Sequence, residues 1–198
     1  MIVKNLKKNK KKYVVTIDND DYTFNENIIV KYRLVKGKEI DNQTLKLAIS
    51  ENDYDSLYLK TEKYVITYRK SEREVVRYLK DKNCENQIIQ KIISKLRDLN
   101  LIDDTNLVID LCNSLVKKSN GKKMIEAKLI QKGFKEELID MAIDNIDYDL
   151  YIKYLEKLYL KVKNKYNKYD DYIRINKIKS YLISRGYSYN DISLLNIK

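Results

Sequence analysis

Proline, tryptophan and histidine are absent from this chain, and each absence excludes something. Without proline, long helices and short polar connections run without the residue that breaks the helical hydrogen-bond ladder. Without histidine, the commonest general base near neutral pH and the commonest metal ligand are missing, which rules out Ser-His and Cys-His triads and His-based metal sites. The two cysteines, Cys84 and Cys112, are too few for a disulfide framework or a zinc site. Glycine is scarce, with four residues, and neither Lys36-Gly37-Lys38 nor Gly121-Lys122-Lys123 has the spacing of a phosphate-cradling loop. No apolar run approaches membrane-spanning length. The opening Met1-Ile2-Val3-Lys4-Asn5-Leu6 has no apolar stretch behind its charges, so no signal peptide is expected and the protein is expected in the cytoplasm.

What is present is aliphatic and charged. Hydrophobic residues make up 43% of the 198 and charged residues 35%, enough apolar content to bury a real core. The formal charge is +11, from 40 Lys+Arg against 29 Asp+Glu. Such an excess favours a polyanionic partner: nucleic acid, an anionic membrane surface or an acidic protein face. A/T-rich coding, which favours Lys, Asn, Ile and Tyr, supplies the same excess without function, so only the distribution of charge carries weight. Residues 1–12 hold six lysines and no acid, residues 151–185 hold ten Lys+Arg against three acids, and residues 148–189 hold ten of the eighteen tyrosines. Lysines that offset phosphate charge beside aromatic faces form the surface that single-stranded nucleic acid uses. The candidate contacts are therefore Lys153, Lys157, Lys161, Lys163, Lys165, Arg174, Lys177, Lys179 and Arg185, with Lys122 and Lys123 at the start of an earlier helix. Lysine on a helix is more often a solvated face, and many of these tyrosines are needed for packing.

The first forty residues differ from the rest. Tyr13-Val14-Val15-Thr16-Ile17 and Tyr22-Thr23-Phe24 flank Asp18-Asn19-Asp20-Asp21, a hairpin signal with a polar turn. The acidic turn is no calcium loop, because Thr23 and Ile29 stand where the glycine and bidentate glutamate would be. A short amphipathic helix follows from Asn25-Glu26 to about Leu34, with a turn at Lys36-Gly37-Lys38. From about Asp41 the pattern is helical, and Leu45, Leu47, Ile49, Leu57, Leu59, Val65 and Ile66 predict one long or slightly broken helix to about Tyr68.

Three later segments align. With Leu79, Leu129 and Leu182 as anchors, Val75, Ile125 and Ile178 stand four residues earlier. Asn83, Gly133 and Gly186 stand four later, followed by Cys84, Phe134 and Tyr187. Ile89, Ile139 and Ile192 come ten residues after the anchor, and Ile92, Ala142 and Leu195 three further on. The apolar slots form the stripes of two successive helices. The Asn/Gly/Gly slot suits a residue of positive φ just past a helix end. The residue after it suits the apolar contact that closes such a turn. A preceding helix, at 45–68, 104–119 and 148–169, completes three helices per copy. Ser71-Glu72-Arg73-Glu74 has the form of a capping box, and Asp103-Asp104 precedes the helix expected near Thr105.

The expected fold is therefore mainly α: three tandem three-helix repeats at 41–100, 101–147 and 148–198, behind a β-hairpin extension with a short helix at 1–40. The stretch from Tyr68 through Ser71-Glu72-Arg73-Glu74 to Asn83, the step Leu101-Ile102-Asp103-Asp104, and Lys132-Gly133-Phe134 resemble the recombination-regulator RecX family of bacteria in order and spacing. The resemblance covers residues 60–145 well and Arg185-Gly186-Tyr187 more loosely; the N-terminal hairpin looks like the extension of Gram-positive members. Family members usually carry Gly where Asn83 stands, and an aromatic residue often where Leu107 stands. A monomer without catalytic activity is expected. The resemblance implies a regulator that binds filaments of the RecA recombinase on DNA, and the DNA expected as partner is single-stranded and also double-stranded. It implies inhibition of recombination and ATP hydrolysis, with a place in DNA repair and the SOS response. From the residues alone, a single-stranded nucleic-acid-binding module without a protein partner remains an alternative, as does a structural scaffold.

Candidate chemistry is thin. Cys84 occupies the slot of Phe134 and Tyr187 and is expected as a small core residue; Cys112, between Leu111 and Leu115, is expected buried as well. Asp103 and Asp104 are adjacent at a helix start and point apart, so capping is expected ahead of metal binding. No catalytic residue, metal site or cofactor is expected.

Overall fold

The structure is a computed structural model that describes residues 1–195 and 197; Asn196 and Lys198, within the third expected repeat, lie outside the described residues. Among the described residues three strands, β1 (Val3–Asn9), β2 (Lys12–Ile17) and β3 (Asp20–Asn25), precede ten helices. These are α1 (Glu26–Tyr32), α2 (Asn42–Thr67), α3 (Glu72–Lys80), α4 (Asn86–Asp98), α5 (Asp104–Lys117) and α6 (Lys122–Lys132), then α7 (Glu136–Asp144), α8 (Tyr148–Lys165), α9 (Asp171–Ser184) and α10 (Tyr189–Ser193). The chain divides into two compact units, one of Met1–Tyr68 with Cys84–Ser94 and the other of Arg69–Asn83 with Lys95–Lys198.

In the first unit the strands form an antiparallel sheet in the order β1-β2-β3. The expected hairpin is present, with Ile17 opposite Asp20 and Asp18 at positive φ in its turn. β1 adds a strand that composition hides, because Lys and Asn are poor strand formers and only pairing with β2 makes them extended. Alternation puts Val15, Ile17 and Phe24 into a core with Ile28, Leu34 and Leu45. α2 is unbroken, capped by the Asp41 carboxylate accepting from Thr44 N at 2.7 Å. Its buried stripe is Leu45, Ala48, Asn52, Tyr58, Thr61 and Val65, the face that 100° per residue selects. Leu47, Leu59 and Ile66, expected among its apolar positions, fall outside that stripe and are exposed. The buried Asn52 accepts from Asn25 N (2.8 Å) and donates to Thr23 O (3.2 Å), satisfying the backbone of the edge strand β3.

The repeat governs the helical part. All twelve aligned apolar positions are buried: Val75, Leu79, Ile89 and Ile92, then Ile125, Leu129, Ile139 and Ala142, then Ile178, Leu182, Ile192 and Leu195. The turn slot has φ of 57° at Asn83, 86° at Gly133 and 89° at Gly186, as a left-handed helix stop requires. Phe134 N and Tyr187 N return to the anchor carbonyls of Leu129 and Leu182 at 3.3 and 3.2 Å. Cys84, expected in the core with Phe134 and Tyr187, is only half-buried. Its short side chain reaches less far than a ring, and its turn bonds tightly through Lys82 N to Leu79 O and Asn83 N to Lys80 O. Cys112 is buried, its Sγ 3.5 Å from Ala142 O, and burial pushes its thiol up to about 11.

Successive repeats meet through one recurring contact within the second unit. Eight residues before the anchor, Ser71 donates its Oγ to Lys132 O at 3.4 Å. At the equivalent place Gly121 donates its N–H to Arg185 O at 2.8 Å. Both acceptors lie three residues past the next anchor. Ser71 also completes its capping box with Glu74. The Asp-Asp step divides its work: Asp103 caps its own helix through Asn106 N (2.9 Å), while Asp104 accepts from Glu72 N (2.9 Å) at the head of α3.

Candidate nucleic-acid interface

The basic segment of the sequence becomes α8 and α9, which pack against each other, with α8 also packed on α5. Along α8, Tyr151, Leu155, Leu158, Tyr159 and Val162 face the core, so the intervening lysines face out. Lys153, Lys157 and Lys161 recur every four residues on one exposed stripe. α9 ends at Ser184 with Arg185 as its cap, and α5 ends with Lys117 and Lys118 ahead of Ser119 at φ 53°.

These ends and the α8 stripe surround a cleft of about 320 Å³. Its charged lining is Lys117, Lys118, Lys157, Lys161 and Arg185, with Ser119, Tyr154, Tyr181 and Leu158 between them and no carboxylate. Arg185 is held in place. Its Nη2 donates to Lys118 O (2.8 Å) and Ser119 O (3.2 Å), and its Nε to Ser119 O (3.3 Å). The guanidinium thus satisfies carbonyls left open at the end of α5 and opposes that helix's negative pole. Asn120 is buried beside it, donating to Leu115 O and accepting from Lys128 Nζ. A cationic hollow with a hydroxyl and two tyrosines can hold a phosphate or another anion by charge-assisted hydrogen bonds.

A second, open hollow of about 570 Å³ shares Tyr181 and adds Tyr166, Ile173 and Lys177. Here lysines lie over rings: Lys165 over Tyr166 and Tyr181 at 5.2 and 5.5 Å, and Lys177 over Tyr169 at 4.7 Å.

Of the residues marked in the sequence, Lys157, Lys161 and Arg185 converge on the cleft, with Lys153 one turn away on the same stripe. Lys177 lines the adjoining hollow, and Lys165 lies over two of its rings, Tyr166 and Tyr181. Lys163 lies over Tyr159 at 5.8 Å, and Arg174 pairs with Asp171 at 2.5 Å. Lys179 is exposed outside both hollows. Lys122 and Lys123 extend exposed side chains from the start of α6, while their N–H groups bond Tyr151 Oη and Gly186 O. The tyrosines sort into two groups. Tyr151 and Tyr187 are core residues whose ring centroids lie 5.5 Å apart, whereas Tyr172 and Tyr189 are 79% and 76% exposed. Sequence reasoning missed Lys117, Lys118 and Ser119. Lys117-Lys118 was visible as a basic pair, but nothing local shows that the end of α5 faces α8 and α9. Among the described residues no group of three or more Cys, Asp and Glu is placed to hold a metal ion, and no helix is long and apolar enough to cross a membrane.

Recurring turns, a repeated contact between copies and a cationic cleft among the helices of the last copies define a tandem three-helix repeat protein. Residues 149–194 match the family described as "RecX, third three-helix domain". Regulatory protein RecX of Streptococcus uberis is 31% identical over 99% of this chain and 76% of that protein, and its counterpart in Clostridium acetobutylicum is 31% identical over 94% and 89%. The chain belongs to the RecX family of regulatory proteins. Solved structures agree in fold: one of regulatory protein RecX has a TM-score of 0.78 at 22% identity, covering 100% of this chain and 99% of that one. One of RecX from Lactobacillus salivarius has 0.68 at 26%, covering 73% and 94%.

Proposed function

We propose that the protein binds the RecA recombinase–DNA filament and inhibits strand exchange and the ATP hydrolysis coupled to it, acting in the cytoplasm as a monomer. Family membership supports a regulatory role. The observation that carries the contact is the acid-free cleft of Lys117, Lys118, Lys157, Lys161 and Arg185, which suits the phosphates of a filament-bound strand. In this reading residues 41–100, 101–147 and 148–198 act as three successive repeats, and recombination, repair and the SOS response are the processes regulated. The protein acts without catalysis of its own.

The test is ATP turnover by a preassembled recombinase–single-stranded-DNA filament. Wild-type protein slows it at substoichiometric amounts, and Lys157→Glu with Lys161→Glu weakens that effect at least roughly ten-fold while the chain stays folded, as removal of two phosphate-binding lysines predicts. Unchanged inhibition by this variant places the contact elsewhere. Binding to single-stranded DNA with a steep salt dependence, but no effect on the filament, favours instead a nucleic-acid-binding module without a protein partner. The exposed rings of Tyr172 and Tyr189 would suit that module as stacking faces.

A further inference from the structure

Arg185 differs from the other cations of the α5–α8–α9 cleft in what its donors already meet. A guanidinium offers five N–H donors in one plane and grips a phosphate through two parallel ones, either Nε with one Nη or the two Nη together. Here Nε and Nη2 both donate to Ser119 O, at 3.3 and 3.2 Å, and Nη2 donates again to Lys118 O at 2.8 Å. The first pair is therefore spent on one carbonyl. The second has given up its Nη2 hydrogens, and neither fork is left for a phosphate.

The main chain ties the same two segments. Arg185 O accepts from Gly121 N at 2.8 Å, so residue 185 holds residues 118–121 through both its side chain and its backbone. The held segment is a strained one. α5 stops at Lys117, Lys118 caps it, and Ser119 stands at φ 53°, a conformation that costs a residue with a Cβ. It also carries two lysines toward Lys157 and Lys161 of α8. Four lysines lining one hollow repel one another, and a loose helix end would let Lys117 and Lys118 swing away. The repeat supplies a comparison, because the slot three residues past the anchor holds Lys82, Lys132 and Arg185. Lys82 turns back to its own helix, its Nζ 5.5 Å from the ring centroid of Tyr78. Only the third copy has a planar fork in this slot, and only there does the slot line the cleft.

We propose that Arg185 is a positioning residue: it clamps the end of α5 so that Lys117 and Lys118 face Lys157 and Lys161, and these four lysines meet the phosphate. The inference rests on the cleft being the filament contact, and it removes from the contacting set a residue that charge alone would include. Lysine is no substitute at this position. An ammonium is a point charge without the planar pair of donors that bridges two successive carbonyls.

The test uses the full chain and its half-inhibiting concentration in ATP turnover by a preassembled recombinase–single-stranded-DNA filament. Arg185→Lys keeps the charge and Arg185→Gln removes it. Both are expected to raise that concentration roughly ten-fold and to agree within about three-fold, as loss of a charge-assisted contact predicts. Lys117→Gln with Lys118→Gln should raise it by a similar factor. Adding Arg185→Lys to that pair should raise it less than about two-fold more, since the lysines that Arg185 places are already gone. Full multiplication of the two effects overturns the proposal, being the mark of a purely structural contribution. So does an Arg185→Lys variant that inhibits like wild type while Arg185→Gln does not, the pattern of a direct charge contact. A measurement without substitution covers variants that misfold. In the unmodified chain the Arg185 Nε–H, held by Ser119 O, should exchange with solvent at least roughly ten-fold more slowly by NMR than that of an exposed arginine; equal exchange overturns the clamp. Lys157→Glu with Lys161→Glu separates this role from the reading it rests on. Inhibition lost there but kept in both Arg185 variants ends the positioning role and leaves the cleft as the site, whereas unchanged inhibition in every variant ends both.

Discussion

Gly121 and Gly186 meet backbone to backbone. Gly121 N donates to Arg185 O at 2.8 Å, and a Cβ on Gly121 would lie 2.3 Å from both the carbonyl carbon and oxygen of Gly186. Gly186 has φ +89°, and its own Cβ would lie 2.4 Å from Met124 N. The second repeat thus seats on the turn of the third at a place where neither chain segment has room for a methyl group.

Alanine at either position is therefore expected to destabilise the second unit by about 2–4 kcal/mol, as overpacking against backbone does. Gly37 provides the contrast. It has φ +86°, and a methyl group there would meet nothing within 4 Å, so Gly37→Ala should cost only the backbone strain, about 1–2 kcal/mol. Gly133→Ala should fall nearer Gly37, because its obstacle is the Arg73 side chain, which can swing aside. Chemical denaturation of the four variants checks the order.

Asp104 supplies the pH dependence. Burial, assisted by the nearby Glu72 and Asp103, raises its carboxyl above the ordinary range, although Glu72 N and Arg97 pull the other way. A raised folded-state value means that its contribution is fully present at low pH and is lost as pH climbs from the ordinary aspartate range, about 3.9, through the raised value. Asp103 has the opposite sign. Bonds from Asn106 hold its carboxyl low, so its contribution is present above the ordinary range and lost as pH falls through the lowered value. Asp104→Asn keeps an acceptor for Glu72 N and should be neutral or stabilising near pH 7, removing the loss on the alkaline side. Asp104→Ala leaves that N–H unpaired and should cost about 1 kcal/mol. Stability curves between pH 3 and 7 distinguish them.

Tyr187 is buried, with a hydroxyl that has no hydrogen-bond partner among the described residues, and burial pushes its phenol up to about 12. Phe134 fills the equivalent slot of the preceding repeat. Tyr187→Phe should accordingly leave stability unchanged or raise it by up to about 1 kcal/mol, whereas Tyr151→Phe should lower it. Tyr151 Oη donates to Asp191 Oδ2 at 3.2 Å and accepts from Lys122 N at 3.3 Å. Thermal unfolding checks both: the midpoint should fall for Tyr151→Phe and should not fall for Tyr187→Phe.

Periodic burial and local caps were legible in the residue order. The twelve repeat positions, the left-handed turn at Asn83, Gly133 and Gly186, and the Ser71 capping box each depend on residues within a few places of one another. Strand β1 was not legible, since Lys and Asn become extended there only by pairing with Val14 and Val15. The exposure of Leu47, Leu59 and Ile66 was also hidden, because a helix rich in aliphatic residues does not announce which stripe finds a partner. The half-buried Cys84 differs from its counterparts for a reason of reach, which slot equivalence ignores.

The basic segment was visible as ten cations in residues 151–185, yet their grouping was not. Residue order by itself determined the helical repeat, its turns and the excess of positive charge, because these rest on local backbone preference and on the 3.6-residue period. Only the tertiary structure decided that Lys117, Lys118 and Ser119 join Lys157, Lys161 and Arg185 around one cleft. Convergence of that kind depends on how helices distant in sequence pack, and the end of α5 reaches Arg185 across more than sixty residues through bonds to its last carbonyls.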